Sequence, residues 1–300
     1  MRTREEQEAI NKACKYHPIL DLDLKSLICD PKVNLGDIDT SAITDMSNLF
    51  AYSRRTDFSG IENWDTSNVT DMSKLFTYCT NFNEPLNDWD VSNVEDMSNM
   101  FDGCIKFNQP LDKWNVSKVT NMNSMFNGCF DFNQSLDNWD VSSVKNMWGM
   151  FKNCLAFNQN LNDWDVSSVK NMANLFRGCE KFNQPLEQWN TSSVKDMWGM
   201  FCCCYEFNQD LSKLDVSSVT DMNGMFAECT NFNQDLNNWC VREDCRTKDL
   251  FKGAVQSYEN VNQAFTTKQL SVCSSEKITE ALNKKQEQKQ EEKQVKGAHL

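Results

Sequence analysis

Cysteine is the residue whose spacing in this 300-residue sequence most readily suggests chemistry. Seven of the 14 cysteines recur every 25 residues, at Cys79, Cys104, Cys129, Cys154, Cys179, Cys204 and Cys229. A row of thiols could form disulfides, take part in redox chemistry or bind a soft metal ion. Cysteine is also among the residue types most often buried, and side chains at equivalent positions of a repeat point alongside one another. We therefore predict that this row is structural.

Other cysteines raise the question of a metal site. Cys202, Cys203 and Cys204 are adjacent, and Cys240 lies close to Cys245. Zinc sites usually include histidine or two cysteines separated by two residues, and neither feature accompanies these groups. We predict no metal site, and a thiol-based redox or metal-buffering role is kept as an alternative.

Aspartate forms a second regular row, directly after a recurring tryptophan, which we expect to give an acidic strand face. Its members are Asp65, Asp90, Asp140, Asp165 and Asp215. Like charges in neighbouring units repel, so the row needs backbone N–H partners, solvent or a cation such as calcium. We favour carboxylates that cap turns or face solvent over a calcium site.

The sequence offers little for acid–base or nucleophilic catalysis. Its only two histidines, His17 and His299, lie near the chain ends, and no nucleophile, base and orienting residue recur together. The net charge of -13 argues against binding to nucleic acid or docking on an anionic membrane. Between residues 38 and 253 lie 30 of the 43 acidic and 17 of the 30 basic residues, which favours a basic or polar partner surface. We predict no enzyme activity and no cofactor.

A repeat of 25 residues must position these side chains, and it runs without a gap from Trp64 to Trp239. The unit that begins at Trp164 reads WDVSSVKNMANLFRGCEKFNQPLEQ. Apolar residues fall at helical spacing over residues 194–204, which predicts a short helix. Apolar and polar residues alternate around Trp164 and Val166, which predicts a short strand.

One unit cannot bury enough apolar surface to offset the entropy lost on ordering it, so the units must stack. We predict an α/β repeat solenoid with one short parallel strand and one short helix per 25-residue turn. The expected divisions are an N-terminal helical cap (1–37), a solenoid of about nine repeats (38–253), and a C-terminal cap with a charged helical or disordered tail (254–300).

The motif MFxxCxxFNQxLxxWDVSxV, found at 150–169 and in further copies, resembles the 25/26-residue repeat of BspA-like leucine-rich-repeat surface proteins. The resemblance implies a leucine-rich-repeat-like solenoid used for adhesion or protein binding, usually at a bacterial surface. The sequence shows no Sec signal and no apolar run long enough to span a bilayer. We therefore expect a cytoplasmic or non-classically exported protein, and a cell-surface location is implied by the resemblance alone.

Positions that vary between units are where a repeat protein can specify a partner. Large apolar residues follow the cysteine at Ile105, Phe130, Leu155 and Tyr205, and tryptophans follow the methionine at Trp148 and Trp198. Exposed aromatic residues on a rigid frame are typical binding anchors, although the two tryptophans could equally pack against a neighbouring element. We predict a noncatalytic scaffold that binds a protein partner through these six residues, and a structural, self-associating protein is the alternative.

Overall fold

The computed structural model describes residues 3–254. Its main body is a stack of the 25-residue units, in which equivalent residues of neighbouring units lie next to one another. We call such a set of equivalent residues a column. One column is joined from unit to unit by isolated parallel β-bridges, through Asp45, Asp71, Asp96, Asn121, Asn146, Asn171, Asp196, Asp221 and Arg246.

Alternate backbone amides of each unit donate hydrogen bonds to the next unit. The N–H groups of Met97, Asn99 and Phe101 donate to carbonyls of the following unit at 2.7–3.0 Å. The intervening amides close tight turns within their own unit, as Met100 N–H does onto the Met97 carbonyl at 3.2 Å. Half of the amides in this segment therefore hold the stack together, and the other half shape the turn.

The predicted helix over residues 194–204 is absent, and in the described part of the chain no repeat unit contains an α-helix. A helix would need these amides to bond four residues back, but Met197 donates to the Asp221 carbonyl of the next unit instead. Gly199 and Cys203 also adopt positive φ angles of 59° and 61°, which right-handed helices do not contain. Helical spacing arose because consecutive turns also bring every third or fourth residue inward.

The prediction of a strand around Trp164 and Val166 was also wrong about its position. That segment turns on itself, with Trp164 N–H bonded to the Leu161 carbonyl and Val169 N–H to the Val166 carbonyl. The β-bridge of this unit lies at Asn171, inside the segment predicted to be helical. Alternation near Trp164 reflects two inward side chains on successive turns rather than an extended strand.

The core consists of columns of buried phenylalanine, methionine, valine, leucine and tryptophan. The Phe101 ring stacks on Phe126 of the next unit, with centroids 5.6 Å apart and planes 8° from parallel. It also stacks on Phe107 of its own unit at 4.1 Å. Each unit thus completes its apolar core only through its neighbours, as the entropy argument requires.

Two helices cover the N-terminal end of the stack. Helix α1 spans Arg4–Ala13 and begins with a capping box between Thr3 and Glu6, and helix α2 spans Asp21–Cys29. Short 3-10 helices follow at Leu35–Asp37 and Ile61–Asn63.

Several contacts fasten the cap to the stack. Tyr16 forms a parallel bridge with Ile38, and the Arg55 guanidinium donates to the carbonyls of Ile28, Asp30 and Val33 at the C-terminal end of α2 and beyond it. Arg55 lies in the bend that makes the first spacing 26 residues instead of 25, so this extra length serves the cap.

The predicted C-terminal cap and charged tail cover residues 254–300. Residues 255–300 lie outside the part of the chain that the structure describes. Within residues 3–254, no helix has the length and apolar character needed to cross a membrane.

Candidate interaction surface and the columns that support it

The cysteine column is part of the hydrogen-bonded frame. Each thiol donates to a phenylalanine carbonyl of the preceding unit at 2.7–3.1 Å, in the pairs Cys79–Phe50, Cys104–Phe76, Cys129–Phe101, Cys154–Phe126, Cys179–Phe151, Cys204–Phe176 and Cys229–Phe201. Burial raises the pKa of Cys79 to about 12, and raises that of Cys104 well above its ordinary value. These thiols are buried, protonated and hydrogen-bonded, so they are poorly suited to redox chemistry.

The tryptophan column forms a parallel set of bonds that the sequence analysis missed. Each indole Nε1 donates to a carbonyl of the preceding unit, as Trp139 does to Leu111 at 3.0 Å and Trp164 to Leu136 at 3.0 Å. Leu214 occupies this column without an indole N–H. The regular recurrence of tryptophan, rather than of any large apolar residue, was the available signal, because only tryptophan combines this bulk with a donor.

The recurring Phe-Asn-Gln sequence forms a third column of bonds that we did not predict. The Asn158 side-chain oxygen accepts the backbone N–H of Asn183 at 2.9 Å and the Gln184 Nε2 at 3.0 Å. The same pattern repeats from Asn108 to Asn208. The asparagine and glutamine that recur at this bend therefore join neighbouring units through side-chain hydrogen bonds, in place of hydrogen bonds between backbone groups.

The predicted acidic row caps turns and does not form a strand face. In each member of the row, one carboxylate oxygen accepts a hydrogen bond from the backbone N–H of the serine two residues later, at 3.0–3.1 Å. The members are Asp65, Asp90, Asp140, Asp165 and Asp215. Hydrogen bonds from the Ser142 hydroxyl and amide lower the pKa of Asp140. Asn115 accepts from Ser117 in the same way, which explains why asparagine can replace aspartate in the row.

A second acidic column, which the sequence analysis overlooked, lies at the β-bridges. Asp96 and its equivalents also accept the N–H two residues later, in this case from Ser98 at 2.7 Å. The charge is offset along the column, because Asn121 donates to Asp96 at 3.0 Å and Arg246 pairs with Asp221 at 2.6 Å. Burial, with the nearby Asp221 charge, raises the pKa of Asp196. Among residues 3–254, no three His, Cys, Asp or Glu side chains cluster closely enough to hold a metal ion.

A polar groove separates α1 from the first units and has a volume of about 710 Å³. Its walls include Arg4 and Glu8 of α1 and the carboxylates of Asp65 and Asp90. Asn11 crosses the groove and donates to Asp65 at 2.8 Å. Asp65 of the predicted acidic row therefore helps to seat the cap, and Asp90 lines the groove.

The apolar residues after the cysteine form the most extended apolar surface among the predicted sites. Ile105, Phe130 and Leu155 occupy three consecutive units of one column, with Ile105 36% and Phe130 39% exposed and Leu155 partly buried. We call these three residues the apolar stripe. The backbone joins them directly, because Asp131 N–H bonds to the Ile105 carbonyl and Ala156 N–H to the Phe130 carbonyl.

Two tyrosines extend the apolar stripe toward the N-terminal end. Tyr52 and Tyr78 are 70% and 50% exposed, and their rings stack 5.2 Å apart. The Tyr78 ring lies over Gly103, where a Cβ would come within 2.9 Å of it. Ile105 follows two residues later, so apolar groups that are exposed or partly exposed occur in five consecutive units. These tyrosines were not among the predicted residues, because they precede the cysteine position instead of following it.

The remaining predicted partner-binding residues stand apart from the apolar stripe. Tyr205 is exposed, but Glu180 occupies the same column between it and Leu155. Trp198 is 41% exposed, whereas Trp148 is partly buried, with the Lys152 ammonium 5.9 Å from its ring centroid. The two tryptophans occupy a different column from the apolar stripe, at the position that follows the recurring methionine.

Comparison with known proteins identifies the repeat. A family model described as "Mycoplasma protein of unknown function, DUF285" matches residues 26–129, 106–201 and 150–267. No curated protein and no solved structure matches the chain. The three overlapping matches together span residues 26–267, which include every stacked unit. The chain therefore belongs to the DUF285 family of repeat proteins.

Proposed function

We propose that this protein is a noncatalytic protein-binding scaffold, a leucine-rich-repeat-like solenoid of the BspA-like kind, that holds a partner against the apolar stripe. Ile105, Phe130 and Leu155 are the centre of the binding surface, and Tyr52 and Tyr78 extend it. The observation that carries the proposal is the run of apolar side chains through five consecutive units, four of them exposed and Leu155 partly exposed.

Side chains of the cysteine, tryptophan and asparagine columns hold the stack together. Cysteine, tryptophan and asparagine side chains bond to the neighbouring unit, as Cys129, Trp139 and Asn158 illustrate. The position of the apolar stripe makes no such demand, because threonine and glutamate occupy it in other units, and of these residues Thr230 bonds to its neighbour, through a 3.4 Å contact with the Tyr205 carbonyl. Large apolar groups at a position that threonine can fill cost solubility without contributing to the frame, which supports a role in recognition.

The spacing of the stripe suits a helical partner. Neighbouring units joined by ladder hydrogen bonds lie about 4.8 Å apart, and successive turns of an α-helix advance by about 5.4 Å. A helix that lies along the stack can therefore place apolar residues of successive turns between Ile105, Phe130 and Leu155. The acidic excess of the repeat region favours basic residues beside them. The resemblance to BspA-like proteins extends the proposal to adhesion at a cell surface.

The test replaces each residue of the apolar stripe by threonine, which occupies the same column in other units. The triple variant Ile105→Thr, Phe130→Thr and Leu155→Thr should keep the fold and lose the partner, and Thr80→Ala with Thr230→Ala is the matched control in the same column. Immobilised wild-type and variant proteins are compared for the proteins they retain from cell extract, and light scattering gives the oligomeric state of each.

Proteins retained by the wild type and the control but lost by the triple variant support the proposal. Identical retention by all three would refute it. A wild-type dimer that the triple variant dissociates would favour the self-associating alternative instead.

A further inference from the structure

Cys202 and Cys203 depart from the repeat at two adjacent positions. The preceding unit has Arg177 and Gly178 there, and the following unit has alanine and glutamate. Stacking therefore does not require a thiol at either position. The structural thiol of this unit is Cys204, which donates to the Phe176 carbonyl at 2.9 Å.

The two additional thiols touch each other near the surface. Their Sγ atoms are 3.6 Å apart, with Cys203 half-buried and Cys202 buried at 8% exposed. Cys203 holds a left-handed φ of 61°, a conformation that costs about 1–2 kcal/mol for a residue with a Cβ. The equivalent residue has a positive φ in the neighbouring units as well, at Gly178 and at Glu228. The repeat therefore sets this backbone conformation, and the contact between the two thiols is what distinguishes Cys202 and Cys203 from their equivalents.

We propose that Cys202 and Cys203 form a two-thiolate binding site for a soft divalent cation of the zinc and cadmium class. Metal–sulfur bonds of about 2.3 Å at a tetrahedral angle place two sulfur ligands about 3.8 Å apart, close to the observed 3.6 Å. Binding exchanges two S–H protons for two metal–sulfur bonds and releases both protons to solvent, with no change of oxidation state. Tyr205, which is 41% exposed, lies near Cys203, and solvent completes the coordination.

The charges around the pair set the pH at which metal can displace the protons. Burial raises the pKa of Cys202 to about 11, the neighbouring Cys203 and Glu228 add to this rise, and Arg177 opposes it. A bound cation stabilises the thiolate forms, so its affinity rises with pH as the competing protons are removed.

Cadmium is the probe, because its thiolate complexes absorb in the ultraviolet. The full chain, fully reduced with a phosphine and freed of metal, is titrated with Cd²⁺ while the charge-transfer absorption and the released protons are measured. Cys203→Gly and Cys202→Ala reproduce residues that neighbouring units carry at these positions, so both variants should fold. Cys29→Ser removes an exposed thiol elsewhere and is the control.

We expect the wild type and the control to bind one Cd²⁺ with release of two protons, and each single variant to bind about 100-fold or more weakly, because the second tethered ligand supplies the effective concentration. Circular dichroism verifies that the variants are folded. Wild-type protein that gives no thiolate absorption, or a folded Cys203→Gly variant with wild-type affinity, would overturn the proposal.

Discussion

Replacing Trp139 by leucine should destabilise the stack, because the indole bonds its unit to the one before. Nε1 donates to the Leu111 carbonyl at 3.0 Å, and the ring is 3% exposed and stacks on Trp164. Leucine is the natural occupant of this column at Leu214. The substitution therefore copies an arrangement that the same frame already tolerates once.

The expected loss has two parts. A hydrogen bond contributes about 0.5–1.5 kcal/mol net, and the Leu111 carbonyl keeps its bond from the Trp114 N–H. Truncating a buried tryptophan to alanine costs about 3–5 kcal/mol, and leucine retains part of the volume. We expect the free energy of unfolding to fall by about 2–3 kcal/mol. The reverse change, Leu214→Trp, should raise it by about 1 kcal/mol, because the new indole can reach the Leu186 carbonyl.

Urea unfolding, followed by far-UV circular dichroism and tryptophan fluorescence, measures both changes. The two signals must coincide before a single free energy is assigned, because long repeat arrays can unfold in stages. A Trp139→Leu variant that loses less than about 0.5 kcal/mol, the range of ordinary surface substitutions, would refute the role of the indole bond. A destabilised Leu214→Trp variant would contradict the equivalence of positions within the column.

Three further predictions concern other columns. Lys74 has a φ of 58°, so Lys74→Asn should raise the thermal midpoint by relieving strain of about 1 kcal/mol, since asparagine tolerates this conformation. Asn158→Ala should lower the free energy of unfolding by about 1–2 kcal/mol in a urea titration, because two donors of the next unit lose their acceptor; unchanged stability would argue against the asparagine column. The pKa of Asp140 is lowered by Ser142, so its contribution to stability is present above the unfolded pKa and is lost as pH falls through the folded pKa. Asp140→Asn, which keeps a cap like that of Asn115, should match the wild type near pH 7 and lose less stability in acid; an unchanged acid profile would contradict this.

Periodicity alone predicted which side chains face inward. Val194, Met197, Phe201 and Cys204 are all buried, as expected. The backbone between them was predicted incorrectly, because an inward residue at every third or fourth position is compatible with either a helix or a chain of tight turns. The recurring glycine and asparagine at two positions per unit were the sign of turns, since these residues accept positive φ.

The candidate site was predictable only where a position varies between units. Ile105 and Phe130 stood out because threonine and glutamate occupy their column elsewhere, and both are exposed. Trp148 could not be assigned from sequence, because its burial depends on how the neighbouring turn folds over it. The contacts of Arg55 could not be predicted from sequence, since its carbonyl partners lie more than 20 residues earlier in the chain.

Bonding between each unit and its equivalent neighbour has a consequence for how the chain can change in length. Removing residues 115–139 would join Trp114 directly to Asp140 and leave the tryptophan, cysteine and backbone donors at the junction opposite acceptors of the type they already use. Removing 24 or 26 residues would instead put the two units at the junction out of register by one residue. Such a protein can lose or gain whole copies of its repeat while keeping both ends intact, and the reach of its surface would change in steps of one copy.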